Sequence, residues 1–140
     1  LVDLVAKELG YEPICFTSKD SKGQVIYHTN VVMSVGEGFA VVCLDSIEER
    51  QLVEAQLKNL DVISISQVQL NQFCGNILQI RNSVGKKFIL CSERAYKAFD
   101  ATQKERLKKF GEFLYSPLPT IEDLGGGSAR CMLAENFLTT

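Results

Sequence analysis

The chain has 140 residues, 46% of them hydrophobic and 23% charged, with a net charge of -2. Those values suit a folded globular domain with its own core, and they give no electrostatic attraction for nucleic acid or an anionic membrane. No apolar run approaches the roughly 20 residues that span a bilayer, and Asp3, Lys7 and Glu8 interrupt the opening segment, which is therefore no signal-peptide core.

Residues 1–9 put Leu1, Leu4, Val5 and Leu9 on one helical face, and Gly10 supplies the stop. A strand is expected at 14–16. A chain that starts at Leu1 in helical periodicity is expected to be part of something longer. From residue 30 onward the pattern is duplicated. Residues 31–35 predict a strand, Gly36-Glu37-Gly38 a turn and residues 39–44 a second strand. Ser46, with Glu49 three positions later, predicts a capping box. Leu52, Val53, Leu57 and Leu60 then recur at helical spacing, and residues 62–65 predict a closing strand.

The order then restarts. Residues 76–80 predict a strand, 82–85 a turn and 87–90 a second strand. Helical segments follow, capped by Ser92 and by Thr102 with Glu105, and end near Gly111. Residues 113–115 predict the last strand. The openings also match, with Asn30-Val31-Val32 against Asn76-Ile77-Leu78. Two strand–strand–helix–strand units over about 30–65 and 76–115 point to a ring-like α/β repeat, in which one unit cannot bury its faces alone. Residues 131–137 predict the first strand of a further unit. Lys104, Arg106, Lys108 and Lys109 are read as a solvated helix face.

Five cysteines (Cys15, Cys43, Cys74, Cys91 and Cys131) without CxxC spacing argue against a disulfide framework and a zinc site. A reducing, cytoplasmic compartment is expected, with four of the five thiols buried as small hydrophobes. The exception is Cys131, at the end of Gly125-Gly126-Gly127-Ser128-Ala129-Arg130. Glycines allow close approach of a ligand to backbone. An adjacent Arg and a reachable imidazole are surroundings that make a cysteine nucleophilic. His28 is the chain's one histidine, and it precedes the first strand of one unit as Cys131 precedes that of another. In a ring of repeats such positions face a common channel.

The segments Tyr27-His28-Thr29-Asn30-Val31, Phe73-Cys74-Gly75-Asn76-Ile77-Leu78 and Gly125-Gly126-Gly127-Ser128-Ala129-Arg130-Cys131-Met132-Leu133-Ala134-Glu135 resemble the amidinotransferase-like proteins of the pentein superfamily. That group includes arginine deiminases, dimethylarginine dimethylaminohydrolases and citrulline hydrolases. The resemblance covers nearly the whole chain, and about the second half of a family member. It implies a partial pentein α/β propeller, with residues 1–140 as one domain, the C-terminal portion of a five-unit ring. It also implies Cys131 as the nucleophile and His28 as acid and base, with Asn30 and Arg130 binding the substrate, a small guanidino or ureido amino acid. No cofactor or metal is required. Arginine deiminases carry an aspartate where this chain has Asn30, and a neutral amide suits a neutral ureido group better than a cation. The acidic partner of the histidine is expected in an absent N-terminal half, so neither Asp45 nor Glu135 is given that role.

The reaction class implied is hydrolysis of C–N bonds in citrulline or methylated arginine. Dimethylarginine dimethylaminohydrolase or arginine-deiminase chemistry is the close alternative, and a non-catalytic propeller fragment or interaction domain is the alternative from another class. Taken alone, the chain is expected to lack turnover and to self-associate through unpaired sheet edges.

Overall fold

A computed structural model describes residues 1–135 of the chain. It is a mixed α/β fold built on two small open sheets, each of three strands. The first helix, α1 (Val2–Leu9), ends where Gly10 takes up a left-handed conformation at φ 72°. The following segment forms no strand at 14–16. It is tied down by isolated bridges, Ser18 with Ile47 and Lys19 with Val25. Its Thr17 N–H donates to the Glu49 carboxylate at 2.7 Å.

A single helical turn, α2 (Thr29–Val32), leads into β1 (Met33–Gly36). The first strand therefore begins later than the expected residue 31, because residues 29–32 close a helical turn first. A tight turn at Glu37-Gly38, with Gly38 at φ 86°, returns the chain as β2 (Phe39–Val42), antiparallel to β1. After a 3-10 turn (Leu44–Ser46), α3 (Arg50–Leu57) crosses over, and β3 (Asp61–Ser64) lies parallel to β2. As the central strand, β2 is buried along its whole length. Ser46 does not cap α3. It lies inside the 3-10 turn with its hydroxyl 3.3 Å from the Cys43 sulfur, and Glu49 holds the N-cap position.

A short helix, α4 (Gln67–Leu70), carries a true capping box between Ser66 and Gln69. The second sheet then repeats the order of the first. β4 (Leu78–Arg81) runs antiparallel to β5 (Lys87–Ser92), and β6 (Glu112–Ser116) lies parallel to β5. The Asn82 side chain organises the hairpin loop by accepting the N–H groups of Val84 and Lys86, with Gly85 at φ 84°. Two helices make the crossover, α5 (Glu93–Ala98) and α6 (Ala101–Lys108). Ser92 caps α5 as its sequence predicts. The cap of α6 is Asp100, in a reciprocal box with Gln103, rather than Thr102 with Glu105. Asp100 is better placed because it immediately precedes the helix, whereas Thr102 is already inside it.

The matched openings are out of register. Take the first rung of each parallel ladder as the common point, Phe39 beside Asp61 and Phe88 beside Glu112. Counted back through the hairpins, Asn76 then falls at the place of Val32, not of Asn30.

One core serves both sheets, with Val32, Phe39, Val41, Ile63, Ile77, Ile89, Phe99 and Leu107 fully buried within it. Phe39 of the first sheet stacks on Phe110 from the approach to β6, at 4.8 Å between ring centres. Gln79 of β4 accepts the Glu37 N–H and donates to the Phe110 carbonyl, both at 2.8 Å, and so stitches the two hairpins together. The basic bunch on α6 is partly engaged: Arg106 pairs with Asp61, Lys108 with Glu105, and Lys104 stands over the Tyr96 ring.

Beyond β6 come α7 (Pro119–Leu124) and a 3-10 turn (Ala129–Met132). The strand expected at 131–137 is not formed over its described part: residues 131–132 belong to that turn and 133–135 have no regular structure. Residues 136 and 137 lie outside the described residues. Among the described residues no helix is long and apolar enough to cross a membrane.

Candidate active site

Three segments converge beside the inner hairpins, and each is fixed by local chemistry. The first is the helical turn that begins after His28. His28 is exposed, its carbonyl accepts the Val31 N–H at 3.0 Å, and its ring lies 4.7 Å from that of Tyr27. Two residues on, Asn30 has a buried Oδ1 that has no hydrogen-bond partner among the described residues.

The second segment is the turn before β4. Phe73 adopts φ 61°, a left-handed conformation uncommon for a side chain of its bulk. Gly75 follows at a point of close backbone contact, where a Cβ would lie 2.3 Å from the Val31 carbonyl oxygen. Only glycine fits there, and its absence of side chain lets the second segment lie directly against the first.

The third is the glycine loop. Gly126 takes φ 65°, and a Cβ on Gly127 would stand 3.0 Å from the Cys131 sulfur. The loop is anchored by Ser128, whose buried hydroxyl donates to Glu122 of α7 at 2.8 Å. The other oxygen of that buried carboxylate meets Arg94 Nε at 3.0 Å. Arg94 also binds Asp123 at 2.6 Å and lies 5.9 Å from the Phe73 ring centre, so one guanidinium braces both the glycine loop and the strained turn. Cys131 is exposed at the end of this frame.

Asn76 joins all three segments. Its side chain is fully buried. Nδ2 donates to the Asn30 carbonyl at 2.7 Å and to the Cys131 sulfur at 3.1 Å, while Oδ1 accepts the Arg130 N–H at 3.0 Å. Of the residues picked out from the sequence, Asn30, Arg130 and Cys131 therefore meet around one amide. His28 stands at the start of the segment that holds Asn30, and it makes no hydrogen bond to Cys131 among the described residues. Asn76 had no assigned role in the sequence reading. Its signal was there in the quoted Cys74-Gly75-Asn76 triplet, where a small residue precedes an amide at the start of an apolar strand.

The Arg130 guanidinium pairs with Glu135 at 3.3 Å, and both line a cleft of about 560 Å³ between β1 and β4. Glu37, Arg81 and Lys87 supply the remaining charges of its walls. The Glu37 carboxyl is held below the usual range by its hydrogen bond and charge pairing with Lys87. Burial pushes the thiols of Cys74 and Cys91 up to about 12 and raises that of Cys43. Cys15, expected inside, is exposed, because its segment forms no strand to carry it into the core. Among the described residues no three His, Cys, Asp or Glu side chains gather as a metal site would need.

Solved structures share this fold. The N-terminal domain of ArgZ, an arginine dihydrolase of cyanobacteria, was solved with product bound. It matches 93% of this chain with a TM-score of 0.73 and 17% identity. A substituted form of that domain, covalently bound to a reaction intermediate, matches equally well. AgrE in complex with ornithine and NAD+ matches 76% of the chain with a TM-score of 0.60, also at 17% identity. The chain spans 44% of the ArgZ domain and 15% of AgrE, less than half of either. No curated protein sequence matches it. The profile of eukaryotic N,N dimethylarginine dimethylhydrolases, by contrast, matches residues 1–138, a span that takes in His28, Asn30, Asn76, Arg130 and Cys131 together. By that match the chain belongs to the eukaryotic N,N dimethylarginine dimethylhydrolase family.

Proposed function

We propose that this chain carries the nucleophile and the acid–base histidine of a cysteine-dependent hydrolase acting on C–N bonds of guanidino or ureido compounds, citrulline or methylated arginine. The observation that carries this reading is the framed sulfur. Cys131 is exposed at the end of a glycine loop, takes a hydrogen bond from a buried amide, and sits beside the segment that holds His28 and Asn30. Family membership and the covalent intermediate of ArgZ support it.

With a guanidino substrate, the Cys131 thiolate attacks the central carbon and an S–C bond forms. His28, protonated, gives its proton to the departing nitrogen as the C–N bond breaks, and the amine leaves. The carbon stays on sulfur as a thiouronium. Water then adds to that carbon while His28 takes its proton, and breakage of the S–C bond restores the thiolate and releases a urea. In this reading Asn30 Oδ1, which has no partner among the described residues, accepts a substrate N–H, and the Arg130 cation meets a substrate carboxylate. Among substrates, the family name favours methylated arginine, whereas Asn30 as a neutral amide favours a ureido group.

The reading includes an upstream half. The two open sheets would be units of a five-unit α/β propeller. The exposed apolar residues Leu1, Val2, Leu4, Val5, Leu9 and Tyr11 would face that half, or another copy when it is missing. Five unpaired thiols suit a reducing, cytoplasmic setting. The test is turnover of citrulline, arginine and methylated arginines by the full-length protein. Cys131→Ser and His28→Ala should each abolish it. Turnover that survives Cys131→Ser would overturn the proposal.

A further inference from the structure

We propose that Asn76 is a catalytic hydrogen-bond donor to the nucleophile, one that stabilises the Cys131 thiolate and aims it. This rests on the hydrolase reading above and adds a residue to it.

The orientation of the Asn76 amide is dictated by its surroundings. The Arg130 backbone N–H can only donate, so it must meet Oδ1, as it does at 3.0 Å. The Asn30 carbonyl can only accept, so it must meet Nδ2, at 2.7 Å. One N–H of the amide is used there. The other points at the Cys131 sulfur, 3.1 Å away. The sulfur is therefore the acceptor in this contact, a role that a neutral thiol fills weakly and a thiolate strongly. Because the side chain is fully buried, both N–H bonds of the amide are without competition from water. The same three bonds fix the sulfur's position relative to Asn30, so the donor also sets the line of attack.

Among the described residues no charged side chain, His28 included, makes a hydrogen bond to the Cys131 sulfur. Arg130 turns to Glu135. Glu122 is engaged by Ser128 and Arg94, and Lys87 of β5 by Glu37. The turn Thr29–Val32 carries no charge after His28, and Cys91 of β5 is a buried thiol. Arg81 of β4 lines the cleft.

The test is the pH profile of Cys131 alkylation by iodoacetamide in the full-length protein, mapped by mass spectrometry, with exposed Cys15 as internal reference. In Asn76→Leu and Asn76→Ala, which remove the donor without adding a charge, the midpoint should rise by about one pH unit or more. Labelling of Cys131 near neutrality should slow about tenfold, as loss of a charge-assisted bond requires. Turnover should fall through kcat with little change in KM. An unchanged midpoint in a folded variant overturns the proposal, since a purely structural amide would not move it.

Should neither variant fold, the wild-type protein decides. The side-chain amide resonances of Asn76 should titrate with the same midpoint as Cys131 alkylation, and that inflection should vanish in Cys131→Ala. A flat response overturns the proposal. The hydrolase reading fails separately, through survival of turnover in Cys131→Ser.

Discussion

The two sheets share strand order and pairing sense but are stabilised by different means. In the first, β2 is buried from end to end, Val53 and Leu57 seat the crossover helix, and the Glu49 side chain at the head of that helix is bonded to Thr17. In the second, β6 is largely exposed and its partner β5 is buried in part. There both crossover helices have side-chain caps, and Tyr96 packs against Phe113 and Tyr115. Burial does for one unit what caps and aromatic contacts do for the other. The second sheet, the more polar in its supports, is also the one that carries Asn76 to the candidate site. A buried amide can be held in one orientation only where its neighbours are themselves fixed.

The largest effect expected of a single substitution falls on the contact between the sheets. Phe39→Ala removes a fully buried ring and its stacking on Phe110, and should cost about 3–5 kcal/mol in urea unfolding. Because Phe39 belongs to the first sheet and Phe110 to the turn that leads into β6 of the second, hydrogen exchange should lose protection in β2 and β5 together. Loss confined to β2 would mean that the sheets open as independent units.

Next comes alkaline pH, which should single out the second sheet. Cys91 lies in β5, and the Cys74 sulfur rests 3.5 Å from the Ala95 carbonyl of α5. Burial raises both from 9.0 to about 12 in the folded state. The sign follows directly: below 9 both states are protonated and nothing is lost, while above it the unfolded chain ionises first. Stability should therefore fall as the pH rises from 9 towards 12. Cys91→Ala should make that slope shallower. An unchanged slope would show that these thiols do not govern the alkaline limb.

Helical periodicity and glycine stops were legible in the sequence because they are local. Val53 and Leu57 are on the buried face, and Gly10, Gly38 and Gly85 take the left-handed turns that their positions suggest. The strand–strand–helix–strand order was legible for the same reason. What failed depended on tertiary contacts. Ser46 and Thr102 have cap-like spacing, but the long-range bond from Thr17 to Glu49 and the nearer Asp100 decide where the helices begin. Apolar residues 14–16 look like a strand, yet no neighbouring strand pairs with them among the described residues. Cys131 could be singled out by its glycine loop. For Asn76 the sequence shows an amide after a glycine but not its role, because its three partners come from segments far apart in the chain.

A smaller effect tests the caps. Asp100→Ala should cost about 1 kcal/mol, as loss of an N-cap usually does. Thr102→Ala, exposed and within the helix, should change stability by no more than about 0.5 kcal/mol. Equal losses at both positions would return the cap to Thr102.

The smallest expected change in stability is at Asn30, and it contrasts with the amide it meets. Asn76 uses both ends of its side chain, whereas the Oδ1 of Asn30 is buried without a partner among the described residues. A buried acceptor in that state adds nothing to the fold. The contact that Asn30 makes with Asn76 goes through the backbone carbonyl, which an alanine retains. Asn30→Ala should therefore shift the urea midpoint by an amount equivalent to about 0.5 kcal/mol or less, in either direction. If Oδ1 is kept free for a substrate N–H, the same variant should raise KM about tenfold, the expected cost of one hydrogen bond to a bound ligand. Asn30→Asp extends the test, because a carboxylate keeps the acceptor and adds a charge. It should favour cationic guanidino substrates over citrulline. A clear loss of stability in Asn30→Ala with KM unchanged would assign the residue to the fold and not to the site.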